Sequence, residues 1–543
     1  MDKKAGRKTR ANALICGVLI AAGLYGLYFA RLGAYPLLDP DEPVYGQVAS
    51  EMAAGAGWIT PHYDGQPWFD KPPLFYWLTG ASASILGPTE LACRLPSAIL
   101  AVALVLLVYA LASHDFGKRA AVLAAVVMAT CLQQIVLAHA AVTDMTLAVC
   151  VTAALYAYRR QLDAEGRARL GWAALCGAMT GLGMLAKGPV APLLLFTAFF
   201  VHLWWTGRLR RLISLNALTG LVTFLVVGVP WYAGMYVLHR DVFVQGFLMM
   251  NNITRFLEPE HASQTGGWYS YFLNIPVLLT FFFPWSVFLP QAISRSWRAN
   301  DGARLAVVWC AVVFVFFSIA KTQLTTYIFP LYPAAAIFVG VLWDSVASMD
   351  FGGRKRLRAA LWAALVFSAL LAAVAIISTT QKFVEAAPAV IVLTAILTLT
   401  IAAALWQTLR HGRGDASVAV WTMGAGMAVF TLWLMVGVMP LVTPRASTRE
   451  LVRDLPDLSR VKVFEYSLEK PSILFYTGVR PERTYDPAAV RRRMMEDSPV
   501  VVFCKEAEAQ RIVVPGSVEW ARSGGLVTYA NAAAAPLKGS VTR

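Results

Sequence analysis

Of 543 residues, 58% are hydrophobic and only 15% are charged, with a mean hydropathy of +0.57. A soluble chain of this size needs more surface charge, so the composition excludes an ordinary globular protein and points to a polytopic membrane protein. The formal net charge of +15 does not mark a nucleic-acid face, because the Lys and Arg residues stand in short clusters between apolar runs.

The chain opens on MDKKAGRKTR and an apolar run to Ala30 with no small-residue cleavage site, which predicts an uncleaved anchor. Judged against a bilayer of about 30 Å, apolar runs fall at 12–33, 91–112, 119–138, 141–158, 169–186, 189–206, 213–236, 270–290, 303–320, 326–346, 358–378, 388–408 and 418–441. That predicts about thirteen spans. The loops that would face the cytoplasm carry about twenty-three Lys and Arg against about six on the other side, which fixes a cytoplasmic N-terminus and an outside C-terminal segment. No internal repeat is visible. Seven cysteines show neither a disulfide framework nor zinc-site spacing.

The first outer loop, 38–90, holds LDPDEPVYGQVASEMAAGAGWITPHYDGQPWFDKPPLFYW. A helix is expected from Pro43 to Ala54, capped by Asp41 or Glu42, and a second over LFYWLTGASASIL, bounded by Gly87-Pro88. Both suit the outer membrane interface, where Tyr76 and Trp77 would sit. After residue 442 the composition changes. Ser447-x-x-Glu450 reads as a capping box, VKVFEY (461–466), ILFY (473–476), VVVFC (500–504) and LVTY (526–529) as strands, and PAAVRRRMMED as a helix. The chain therefore divides into a transmembrane part, 1–442, and a small outside α/β domain, 443–543, with a disordered tail.

Ionisable residues are scarce, and the unusual ones fall on one side. Asp41 and Glu42 serve equally as helix caps or as reacting carboxylates. Asp70 and Lys71 are an interfacial ion pair or a phosphate-binding lysine with its orienting or metal-binding acid. Asp144 suits a helix cap, whereas Lys187 inside a bundle needs an anionic partner, namely Asp41, Asp144 or a bound phosphate. In the outer loop 237–269, Arg255 beside Phe256 suits phosphate recognition, and His261 a merely solvated ring. Lys321 and Tyr327 fit interfacial anchoring or the same anion. Together, two or three acids, four cations and several aromatics on one face match a lipid-linked phosphate whose head group lies at the outer surface.

Five blocks in order, LLDPDEPVYGQVASEMAAGAGWITPHYDGQPWFDKPPLFYWL, LAHAAVTDMTLAV, GLGMLAKGPVAP, NNITRF…H…GGWYSYF…PWSVFLP and KTQLTTYIFPLYPAAAI, resemble the ArnT-like membrane glycosyltransferases, relatives of the protein O-mannosyltransferases with the GT-C fold. The resemblance implies an all-α polytopic GT-C body with a periplasmic α/β domain. It implies an inverting transfer of a sugar, 4-amino-4-deoxy-L-arabinose or a related one, from undecaprenyl phosphate to lipid A or another envelope glycan at the periplasmic face of a bacterial inner membrane. By the same resemblance Asp41 is the catalytic carboxylate, with Asp144 a second essential acid and Glu42 beside them. Lys71 and Arg255 hold the donor phosphate, with Lys187, Lys321 and Tyr327 lining the lipid-phosphate site. Asp70 and His261 match positions that bind a divalent metal, Zn or Mg/Mn, and no organic cofactor is expected. The family commonly reads DEARY where this chain has Asp41-Glu42-Pro43-Val44-Tyr45, and EKP where it has Asp70-Lys71-Pro72. Membrane lipids are the other expected partners, nucleic acid is not, and a monomer is expected. The competing class is a transporter or flippase of lipid-linked sugars, which usually places charges at the midplane on repeated, broken helices.

Overall fold

Backbone N–H and C=O groups have no water to bond in lipid, so an apolar chain of this kind folds into helices. The computed structural model describes residues 17–258, 268–410 and 417–539, and its body is helical throughout. Among the described residues seven helices are long and apolar enough to cross a membrane, or nine if each of two bent pairs is one crossing. The bent pairs are Lys118–Thr130 with Leu132–Ala138, at 60°, and Tyr269–Phe281 with Ser286–Ser296, at 114°. Shorter apolar helices are Gly17–Tyr28, Leu74–Leu86, Val190–Trp205 and Phe329–Asp344. Expectation and structure part most clearly at 141–158. The helix there is Asp144–Asp163, and Asp144, Arg159, Arg160 and Asp163 shorten its apolar stretch from both ends.

Small residues set the tightest packing. Helices Gly166–Lys187 and Leu215–Phe243 approach so closely that a methyl group at Gly177 would collide with the Gly220 carbonyl. Elsewhere the core is filled by large aromatics, and two of its buried tryptophans have their indole N–H bonded. Trp285 donates to Thr130 Oγ1 at 3.2 Å and Trp309 to the Pro330 carbonyl at 2.7 Å.

The first loop forms helices Asp41–Ala53 and Leu74–Leu86, joined by a short antiparallel hairpin, His62–Tyr63 with Gln66–Pro67. Neither acid of the first turn caps its helix; Pro40 occupies that position without a side-chain bond. One indole donor closes the loop on itself, Trp77 to the Trp58 carbonyl at 2.6 Å, and another pins it to the body, Trp231 to the Ile59 carbonyl at 2.8 Å. Tyr76, expected at the membrane surface, is instead fully buried against Tyr45, because its helix packs inward on Asp41–Ala53.

Residues 462–530 contribute a five-stranded sheet in the order 482–484, 462–466, 500–505, 526–530, 518–523. The first three strands are parallel and the last two antiparallel. Helix Pro487–Met494 is capped by Asp486, whose Oδ1 accepts from Ala488 N at 2.9 Å. Two expectations fail here. ILFY lies in a helix, Ser472–Thr477, started by Pro471 and stopped by Gly478 in the left-handed region; a four-residue apolar run has no periodicity to tell the two apart. The capping box does not form. Thr448, not Ser447, precedes helix Arg449–Val452, and Glu450 bonds Arg449 and Arg453 instead. The strands at 482–484 and 518–523 carry too much charge to read as strands from sequence.

Candidate active site

The three acids of Asp39-Pro40-Asp41-Glu42 have three different surroundings. Asp39 faces the α/β segment: its carboxylate accepts from Ser472 N at 2.8 Å and Ser472 Oγ at 2.6 Å, with Lys470 at 3.5 Å. Burial raises its carboxyl above the usual range, against the pull of the Ser472 bonds and Lys470.

Glu42 faces the opposite way and is only 4% exposed. Both of its oxygens are taken. Arg94 donates to them at 2.9 and 2.6 Å, Leu38 N at 2.8 Å and Ala141 N at 2.7 Å. Arg94, itself buried, also donates to the carbonyls of Leu32, Tyr35 and Pro36. The expectation of Glu42 as a reacting acid is therefore corrected: with four donors on two oxygens it ties together the end of the first helix, the Asp41 turn and the segment leading to Asp144. Sequence reading missed Arg94, although an arginine inside an apolar run, CRLPS, is itself a signal.

Asp41, between these two anchored neighbours, makes no hydrogen bond or ion pair among the described residues. Its carboxylate is accessible but set in a recess with protein on most sides. Burial pushes its carboxyl above the usual range; Lys71 and Lys187 pull it back, while Asp70 and Asp144 add to the rise. All four groups thus lie within electrostatic reach of Asp41.

Those four groups form two ion pairs. Lys71 Nζ lies 2.9 Å from each Asp70 oxygen. Lys187 Nζ lies 2.6 Å from Asp144 Oδ1 and 4.4 Å from the centre of the Tyr327 ring. The anionic partner that Lys187 needs is thus Asp144, at the start of one helix and reached from the end of another. Asp70, Lys71, Lys187, Thr322 and Tyr327 edge a cavity of about 430 Å³, whose walls continue into Val190, Leu193, Phe247, Phe256 and Phe316. One wall is a π-helical stretch, Val244–Thr254, where Asn251 donates to the Gly246 carbonyl at 2.8 Å. Asn251 was not singled out in the sequence, and no spacing marked it.

Arg255 opens the short helix Arg255–Leu257 at this cavity's border, but its side chain, like all of His261, lies outside the described residues. Lys321 is placed otherwise than expected. Its exposed ammonium rests on Tyr271, 3.3 Å from the hydroxyl, and is not part of the cavity lining; its main-chain N–H donates to the Phe256 carbonyl at 3.0 Å. A metal at Asp70 does not fit the described residues, because the Lys71 ammonium already occupies the Asp70 carboxylate and no group of three or more His, Cys, Asp or Glu side chains is placed to hold one.

Several apolar helices, a charged end and an apolar cavity beside it define a membrane protein with room for a lipid that carries an anionic head. The fold is shared with ArnT from Cupriavidus metallidurans, at a TM-score of 0.78 in the apo state, covering 96% of this chain and 99% of that one at 23% identity. The same protein bound to undecaprenyl phosphate gives 0.77, covering 95% and 97% at 23% identity. Residues 70–233 match the family described as dolichyl-phosphate-mannose-protein mannosyltransferase. The undecaprenyl phosphate-alpha-4-amino-4-deoxy-L-arabinose arabinosyl transferase of Erwinia tasmaniensis is 30% identical over 368 residues, which span 66% of this chain and 64% of that relative. Its counterpart from Pseudomonas fluorescens is 27% identical over 455 residues, 82% of this chain and 75% of the relative. The chain is thus similar to ArnT in fold and to these arabinosyl transferases in sequence.

Proposed function

We propose that the chain is an inner-membrane glycosyltransferase that moves a sugar of the 4-amino-4-deoxy-L-arabinose type from undecaprenyl phosphate to lipid A or another envelope glycan. The relatives' activity supports the donor and the sugar. The arginine-rich loops support a cytoplasmic N-terminus, and with thirteen apolar runs as spans that orientation makes the α/β domain periplasmic. The observation that carries the reading is the cavity: two lysines at one end and an aromatic, apolar wall at the other are complementary to an isoprenoid phosphate.

In this reading the isoprenoid lies along Val190, Leu193 and Phe247, and the phosphate meets Lys71 and Lys187. The acceptor oxygen attacks the anomeric carbon from the face opposite the phosphate. The bond from that carbon to the phosphate oxygen breaks, and the electron pair leaves with the phosphate. The two ammonium groups stabilise that developing charge. Asp41, the one acid of its cluster without a bond among the described residues, stabilises the positive sugar ring or takes a proton from an acceptor hydroxyl. A phosphate acceptor needs positioning only.

The test is conversion of undecaprenyl-phosphate sugar by purified protein in detergent, with Asp41→Asn as control. Conversion by the wild type and none by the folded variant is expected. Full activity in Asp41→Asn removes that residue from the mechanism, and transport across vesicles without conversion overturns the reading in favour of a flippase.

A further inference from the structure

A second cavity, of about 240 Å³, lies at the other end of the body, between helices Asp144–Asp163, Gly166–Lys187, Val190–Trp205 and Leu215–Phe243. Its walls are apolar, with Phe196, Phe199 and Phe224 among them, and Arg211 stands at its rim. The close approach of Gly177 and Gly220 closes one side.

Arg211 belongs to a short turn, Leu209–Ile213, whose charges are used unequally. Arg208, just before it, is paired with Asp301 at 2.5 Å. Arg211 donates once, to the Leu162 carbonyl at 3.3 Å, and among the described residues neither it nor Arg210 makes an ion pair. The turn's apolar residues are not tucked away either: Leu212 is 43% and Ile213 93% exposed, next to Trp204 at 65%. Exposed apolar side chains and arginines without ion pairs in one turn, with a tryptophan at the end of the preceding helix, mark the boundary between bilayer and water. The arginine clusters assign that boundary to the leaflet that carries anionic lipid.

We infer that this cavity is a site for one anionic glycerophospholipid of the surrounding bilayer, its phosphate on Arg211 and Arg210 and an acyl chain among the phenylalanines. The planar guanidinium suits a phosphate, and a cavity continuing from it into apolar walls suits the chain that the phosphate carries. The site is separate from the Lys71–Lys187 cavity and does not depend on the activity proposed for it.

Native mass spectrometry of the full chain released from nanodiscs of equal phosphatidylglycerol and phosphatidylethanolamine tests this. The wild type is expected to retain one phosphatidylglycerol at least about tenfold over phosphatidylethanolamine. Arg211→Ala, which leaves the packing intact, removes the preference. Ala217→Trp, which fills the cavity, sheds the bound lipid altogether. Thermal unfolding in detergent confirms that both variants are folded. No preference in the wild type, an unchanged preference in Arg211→Ala, or full retention by Ala217→Trp overturns the site and leaves ordinary boundary lipid.

Discussion

The two charged ends of the helical body use the same chemistry differently. At the arginine-rich end the buried acid is paired: Asp115, 2% exposed at its side chain, bonds Arg159 at 2.8 Å and His114 at 3.0 Å, and Arg159 reaches Asp163 at 2.6 Å. These pairs fasten one loop to another, and Asn300 joins them by donating to the Asp115 carbonyl at 2.7 Å. At the other end two pairs also form, Lys71 with Asp70 and Lys187 with Asp144, but they edge a cavity, and Asp41 beside them has no partner among the described residues. Ion pairs alone do not distinguish a site from a clamp. An acid left over next to an apolar cavity does, because a carboxyl held in a recess without a bond costs stability and is kept for some other reason.

The largest expected effect comes from that leftover acid. Asp41→Asn should lower transfer about 10²–10⁴-fold with no loss of thermal stability, measured by single-turnover conversion beside a melting curve. Wild-type rates would erase the contrast between the two ends. Next, Lys187→Met strands Asp144, buried to 10% exposure at its side chain, and should cost about 3–5 kcal/mol in chemical unfolding. Restoring stability with Lys187→Met and Asp144→Leu together, without restoring transfer, separates holding from reacting. At the other end, Asp115→Ala should cost about 1.5–3 kcal/mol yet leave transfer per folded molecule unchanged. A lower rate in that variant would mean that both ends serve the reaction.

Ser472→Ala removes one of the bonds on Asp39 and should loosen the α/β segment by about 1 kcal/mol, read as faster proteolysis after residue 446. The smallest signal is in pH. Because burial raises Asp41, the fold favours its protonated form. Its contribution to stability is therefore present below the ordinary carboxylate range and lost as pH rises through the raised value. Transfer should show the reverse, rising over the same interval as the carboxylate forms. Asp41→Asn should flatten the stability slope, and an unchanged slope assigns it to other acids such as Asp39.

Much of this was written in the sequence. Hydrophobic length marked where apolar helices run but not where 119–138 and 270–290 break, and the loop helix Leu74–Leu86 falls on the same thirteen residues that Pro72-Pro73 and Gly87-Pro88 bracket. The shared cavity of Lys71, Lys187 and Tyr327 was legible as a one-sided crowding of rare charges. What periodicity and charge left dark was the choice among neighbours. Asp39, Asp41 and Glu42 are chemically alike in a string, and only contacts far along the chain, at Ser472 and Arg94, separate two fasteners from an acid with no partner among the described residues. Tyr76 misled for a related reason: an aromatic belongs equally to a membrane surface and to a buried seam, and helix packing decides.

The pairing of Lys71 with the residue just before it bears on what the pocket admits. A cation whose counter-charge is the carboxylate of the adjacent residue is already quenched, so a small inorganic anion entering from solvent gains little by displacing it. Only a visitor that brings a long greasy tail along the opposite wall offsets that exchange, and selectivity against free phosphate is thereby set by the hydrocarbon rather than by the head.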